Sequence, residues 1–201
     1  MRVDPLNIVL DQDIKSLKRF YFISGNEKTF IEKIITKIIE RHKDNENTSI
    51  INIDSIKDYV EEVGLFENKR IILVKNCKEI EEQTLKQLGN TNDVFIFAQE
   101  NSQKIKKIKG LFSADKDSYL IDCYEIDKDS KIKILNEFLK VNKLEISQDV
   151  YWFLIDKLDS KYIFFEKNLI KVLELDRQNI TLDKVKKILT VDESGKERIF
   201  F

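Results

Sequence analysis

Glycine, proline, histidine and cysteine are all scarce in this chain. Five glycines in 201 residues leave little material for the Gly-rich loops that wrap backbone N–H groups around a phosphate. One histidine, His42, rules out a His/Asp/Ser or His/Cys constellation for nucleophilic catalysis. His42 stands between Arg41 and Lys43 at the end of an Ile-rich segment. There it reads as a helix C-terminal residue interacting with the helix dipole. The two cysteines, Cys77 and Cys123, are far apart and lie in apolar settings. They have neither a disulfide framework nor metal-ligand spacing, and read as small core residues in a reducing compartment. No apolar run approaches the length needed to span a membrane, and MRVDPLNIVLDQD lacks the long apolar core of a signal peptide. A cytoplasmic protein is expected. A charge of one sign is also missing: 35 Lys+Arg face 36 Asp+Glu, a formal net charge of -1. No global basic field exists to attract nucleic acid.

What is present is a globular composition, 42% hydrophobic and 35% charged, in a chain long enough for one large domain or two modest ones. Phe20–Ile23, Ser49–Ile53, Arg70–Val74, Val94–Ala98 and Tyr119–Cys123 read as strands. Phe20–Ile23 is a continuous apolar run, and Arg70–Val74 is apolar on both faces. Between them lie helical patterns. The first places Phe30, Ile31, Ile34, Ile35, Ile38 and Ile39 on one face, with Asn26 as its expected N-cap. Others are expected over Ser55–Val63, Ile80–Leu88 and Gln103–Leu111. Strands apolar on both faces and separated by helices predict a parallel sheet covered on both sides.

After Tyr124 the strand signal ends. Ile132, Leu135, Phe138 and Leu139 mark one amphipathic helix. Ser147 is the expected cap of a second, Tyr162–Leu175 forms a third, and Thr181 opens a short fourth. The domains predicted are an α/β domain over residues 1–125 and a small helical bundle over 126–195. The apolar end Ile199-Phe200-Phe201 suggests that further packed structure begins at 196–201.

Three stretches carry candidate chemistry. The first is the turn SGNEKT after the first apolar strand, where nucleotide-binding α/β proteins hold phosphate. It has one glycine, Gly25, and Lys28-Thr29, which matches the end of GxxxxGK(S/T) without its frame. The turn therefore reads as a plain strand-to-helix connection, and no acidic residue is well placed after a core strand to hold Mg²⁺. The second is the basic run Lys104, Lys106, Lys107 and Lys109, a solvated helix face or, alternatively, a contact for phosphates. The third is Leu65-Phe66, which follows Gly64. Two large apolar residues beside a glycine are either a helix C-cap contact or an anchor for a partner. No catalytic group, metal ligand or cofactor site is expected.

The ordered features resemble the delta subunit of the bacterial DNA polymerase III clamp loader. FYFISGNEKTFIEKIITKII is similar to that family's opening strand, degenerate phosphate turn and first helix. VEEVGLFENKRIILVKN is similar to its clamp-contacting element and the strand that follows. NDVFIFAQE resembles its next core strand, and LEISQDVYWFLIDKL, FFEKNLIKVLEL and ITLDKVKKIL resemble the helices of its lid domain. The resemblance implies an AAA+-like fold of P-loop NTPase type with a degenerate ATP site, followed by an all-α lid. It implies binding to the sliding clamp (the beta subunit) through Leu65 and Phe66, with Glu61, Val63 and Gly64 flanking, and help in opening the ring for loading onto primed DNA. Glu61 stands where such a motif often has Gln. The implied partners are the ATPase subunits and delta prime of the loader, with DNA met indirectly and no membrane. The chain would be a component of DNA polymerase III holoenzyme, a DNA-directed DNA polymerase (nucleotidyltransferase), without activity of its own. The family's third, collar domain is expected to start about where this sequence stops. A non-catalytic AAA+-like scaffold and, less so, an ATP-binding enzyme are the alternatives.

Overall fold

The computed structural model describes residues 1–12, 16–43, 48–61, 70–75, 77, 79–100, 105–176 and 179–190. The chain divides into two compact units, Met1–Tyr124 and Glu125–Phe201. The first unit is built on one sheet of six parallel strands: β1 (Arg2–Val3), β2 (Phe20–Gly25), β3 (Ser49–Ile53), β4 (Arg70–Lys75), β5 (Val94–Glu100) and β6 (Ser118–Cys123). Their spatial order is β1-β6-β2-β5-β4-β3. Strand β2 lies between β5 and β6, in register Phe22↔Phe97 and Phe22↔Leu120, and every one of its residues is buried.

Alternation across the strands sends successive side chains to opposite faces. Phe20, Phe22, Ile72, Val74, Phe95, Phe97 and Leu120 form one layer, covered by α3 (Glu82–Leu88) and α4 (Ile105–Ala114) through Leu85, Leu88, Ile105, Ile108 and Phe112. Phe22 stacks on Phe112 at 5.0 Å and Phe20 on Phe95 at 5.7 Å. Each such ring contributes about 1.5–3 kcal/mol of burial energy. The opposite layer, with Tyr21, Ile23 and Ile34 fully buried, is covered by α1 (Pro5–Val9) and α2 (Lys28–His42). Strand β3 is the exposed edge.

The second unit contains α5 (Lys128–Asn142), α6 (Gln148–Lys157), α7 (Tyr162–Leu173) and α8 (Leu182–Thr190). Its buried side chains include Leu135, Val150, Leu154, Phe165, Val172 and Val185. Asp127 caps α5 by accepting a hydrogen bond from Ser130 N at 2.8 Å. Ser147 holds the cap position of α6 but makes no side-chain capping bond; its hydroxyl serves Asp149 instead.

Several expectations are corrected. The helix expected over Ser55–Val63 is a single 3-10 turn, Ile56–Asp58, with Tyr59 extended at ψ 128°. A reciprocal capping box, Lys57 N to Ser55 Oγ (3.3 Å) and Ser55 N to Asp58 Oδ2 (3.1 Å), closes that turn on itself. Helix α2 is capped by Glu27, not Asn26. His42 is buried, and its Nε2 lies 2.8 Å from the Tyr21 hydroxyl. That hydroxyl also accepts from Lys18 N at 2.9 Å. Tyr21 titrates high, at about 12, because of burial. Strand β1 and helix α1 were not expected at all. Two residues carry no periodicity, although Asp4, which accepts from Leu6 N at 2.9 Å, and Pro5 form a cap-and-proline start.

Candidate functional site

The turn between β2 and α2 is held against β6 and by the Glu27 side chain. A Cβ on Gly25 would lie 1.6 Å from the Cys123 carbonyl oxygen, so only glycine permits this approach of β2 to β6. Glu27 N then donates to the same carbonyl at 3.3 Å. The Glu27 carboxylate turns back over the start of α2. It accepts from Thr29 N at 3.1 Å and Phe30 N at 2.6 Å, and from the Thr29 hydroxyl at 2.8 Å. Glu27 is only 5% exposed. The helix N-terminus, an anion site by virtue of its free N–H groups, thus holds the protein's own carboxylate. Gly25, Lys28 and Thr29 are brought together here, but Thr29 spends its hydroxyl on Glu27.

Beside this turn a cleft of about 390 Å³ opens between α2 and the carboxyl ends of β4 and β5, with Lys28, Glu32, Lys75, Gln99 and Glu100 on its walls. On the β6 side, Asp122 receives Arg2 at 2.6 Å, Lys109 at 2.6 Å and the Ser24 hydroxyl at 3.2 Å. Burial pushes the Asp122 carboxyl up, but Lys109, then Arg2 and Ser24, outweigh it and hold the group below its ordinary value. Burial raises Cys77 to about 11 and Cys123 further still, so both thiols stay protonated and inert.

Of the basic run, Lys109 is committed to Asp122, Lys106 and Lys107 are exposed on α4, and Lys104 lies outside the described residues. Val63, Gly64, Leu65 and Phe66 also lie outside them, while Glu61 is described and exposed. The chain on either side of 61–69 is held by a network the sequence reading missed. Arg70 and Asp93 precede the register partners Ile71 and Val94 on adjacent strands. Arg70 Nη2 meets Asp93 Oδ2 at 2.5 Å and Nε meets Oδ1 at 3.1 Å, with the residues 5% and 4% exposed. The Tyr59 hydroxyl donates to Asp93 at 2.7 Å, and Arg70 Nη1 donates to the Val60 carbonyl at 3.3 Å. Burial, then the bond to Asp93, raises the Tyr59 hydroxyl to about 12. The signal for the pair was one opposite charge at the entry of each of two apolar strands.

Among the described residues no group of three or more His, Cys, Asp and Glu could hold a metal ion, and no helix is long and apolar enough to cross a membrane.

The chain is similar in structure to the DNA clamp loader delta protein of Bacillus subtilis. The TM-score is 0.58 at 17% identity, over 90% of this chain and 60% of that one. The fold is shared with that delta protein. It is a parallel α/β unit with a helical part after it in sequence. Similarity is weaker to domain III of the Thermotoga maritima replication initiation protein DnaA (TM-score 0.47, 11% identity, 92% of this chain and 88% of that one). It is weaker also to the Thermotoga maritima RuvB Holliday junction branch migration motor (0.44, 13%, 86% and 61%). The chain thus spans about 60% of the length of the delta protein. No family model and no curated protein matches its sequence.

Proposed function

We propose that this chain works as a clamp-loader delta subunit. It binds the sliding clamp through Leu65 and Phe66, flanked by Glu61, Val63 and Gly64, and helps open the ring for loading onto primed DNA. The observation that carries this is the fold held in common with the Bacillus subtilis delta protein over 90% of the chain, together with an apolar Leu-Phe pair a few residues before β4. Burying two such side chains in an apolar pocket is worth about 1.5–3 kcal/mol each before ordering costs, enough to dominate a small interface. Ring opening then requires that the chain bind the open ring better than the closed one.

The AAA+-type unit is read as having no ATP chemistry of its own. The Glu27 carboxylate on Thr29 and Phe30 supports this, because a phosphate there would face a buried negative charge and donors already in use. ATP hydrolysis falls to the ATPase subunits of the loader, with delta prime a further partner, in a cytoplasmic DNA polymerase III assembly. DNA is met through that assembly.

The test is surface plasmon resonance of the chain over its cognate clamp, with and without Mg-ATP, beside melting curves. Saturable binding that ATP leaves unchanged, and no rise in melting temperature with Mg-ATP, is expected. A nucleotide-dependent rise would favour a nucleotide-binding enzyme instead.

A further inference from the structure

We propose that Arg70, Asp93 and Tyr59 are positioning residues for clamp binding: a buried clasp that fixes the chain on both sides of the 61–69 segment. The inference rests on the reading of Leu65-Phe66 as the clamp anchor. Val60 and Arg70 are ten positions apart in sequence, yet the Arg70 guanidinium donates to the Val60 carbonyl at 3.3 Å. The same guanidinium is held by Asp93 at two points, 2.5 and 3.1 Å. Tyr59 completes the clasp. Its hydroxyl donates to Asp93 at 2.7 Å and accepts from Arg70 at 3.3 Å. Its ring lies 5.6 Å from the Arg70 guanidinium carbon and edge-on to Phe95 at 5.2 Å.

A buried ion pair is a poor device for stability alone, since a well-packed apolar pair of similar volume does as well or better. What an apolar pair cannot supply is the link to a backbone carbonyl ten residues away. That link holds the ends of the intervening chain together in the free protein. The ordering cost of binding then falls before any partner arrives.

The experiment compares clamp affinity and melting temperature for wild type, Tyr59→Phe, Arg70→Met/Asp93→Leu and Leu65→Ala/Phe66→Ala. Both clasp variants are expected to lose affinity when compared well below their melting temperatures. The loss is about tenfold or more in Arg70→Met/Asp93→Leu, which removes the tether to Val60, on the scale of one charge-assisted hydrogen bond. It is smaller in Tyr59→Phe, which leaves that tether in place. Wild-type affinity in the clasp variants, with binding lost in Leu65→Ala/Phe66→Ala, overturns the clasp and leaves the anchor standing. Full affinity in Leu65→Ala/Phe66→Ala overturns the anchor and the clasp with it. If the double clasp variant fails to fold, Tyr59→Phe, which removes one hydroxyl, decides by the same criterion.

Discussion

Gly25 lies against Cys123 so closely that a Cβ on the glycine would stand 1.6 Å from the cysteine's carbonyl oxygen. The atom in the way is backbone of a central strand pair, in register Gly25↔Cys123. Gly25→Ala should therefore push β2 and β6 apart at their carboxyl ends. A loss at or above the upper end of the roughly 1–3 kcal/mol range for overpacking is expected. Urea unfolding checks it, and an unchanged midpoint would contradict the contact.

Glu27→Ala removes the carboxylate that serves Thr29 and Phe30 at the start of α2. The expected cost is about 1 kcal/mol, as for other N-cap losses, read as a lower urea midpoint with an unchanged slope. Glu27→Asp should recover less than full stability, because the shorter side chain reaches the Phe30 amide less well.

Asp122 gives the fold an acid limb. Its carboxyl is held below the ordinary value of 3.8 by Lys109, Arg2 and Ser24 against the upward push of burial. A depressed carboxylate stabilises the fold fully above its unfolded value and loses that contribution as pH falls through the lower folded value. Asp122→Asn should be less stable than wild type at neutral pH. The gap should close below about pH 3.8. Urea midpoints measured down that range test it; a gap independent of pH would mean the ion pairs contribute nothing.

Much of this was legible in the sequence. Phe22, Ile72, Phe97 and Leu120 are buried in strands that the continuous apolar runs had marked, because a strand covered on both faces needs apolar residues at every position. The single glycine and misframed Lys28-Thr29 were visible as well. What stayed hidden depends on strand order and on local competition. Arg70 and Asp93 meet only because β5 lies beside β4, which no spacing reveals. Asn26 was the expected cap of α2, but Glu27 takes the role by accepting from two amides. Ser55 and Asp58 closed one turn where apolar spacing had predicted a helix over Ser55–Val63. Arg2–Val3 is too short for any pattern, and takes its place from pairing with Leu120 and Ile121.

Tyr21 and His42 form a buried polar pair beneath α2. Tyr21→Phe leaves the Lys18 amide and the His42 Nε2 without this partner. A loss of about 1–3 kcal/mol is expected, the penalty for stranding buried polar groups. His42→Phe with Tyr21→Phe should recover part of it, because both partners are then apolar; a double mutant no better than additive would contradict the coupling.

The most direct test of the central claim is the affinity of Leu65→Ala/Phe66→Ala for the cognate sliding clamp, measured beside its melting temperature. Loss of binding at unchanged stability is the predicted result, since an exposed anchor contributes to the interface and not to the fold. A fall in stability of several kcal/mol, the usual cost of truncating core residues, would place the pair in the core and contradict the claim.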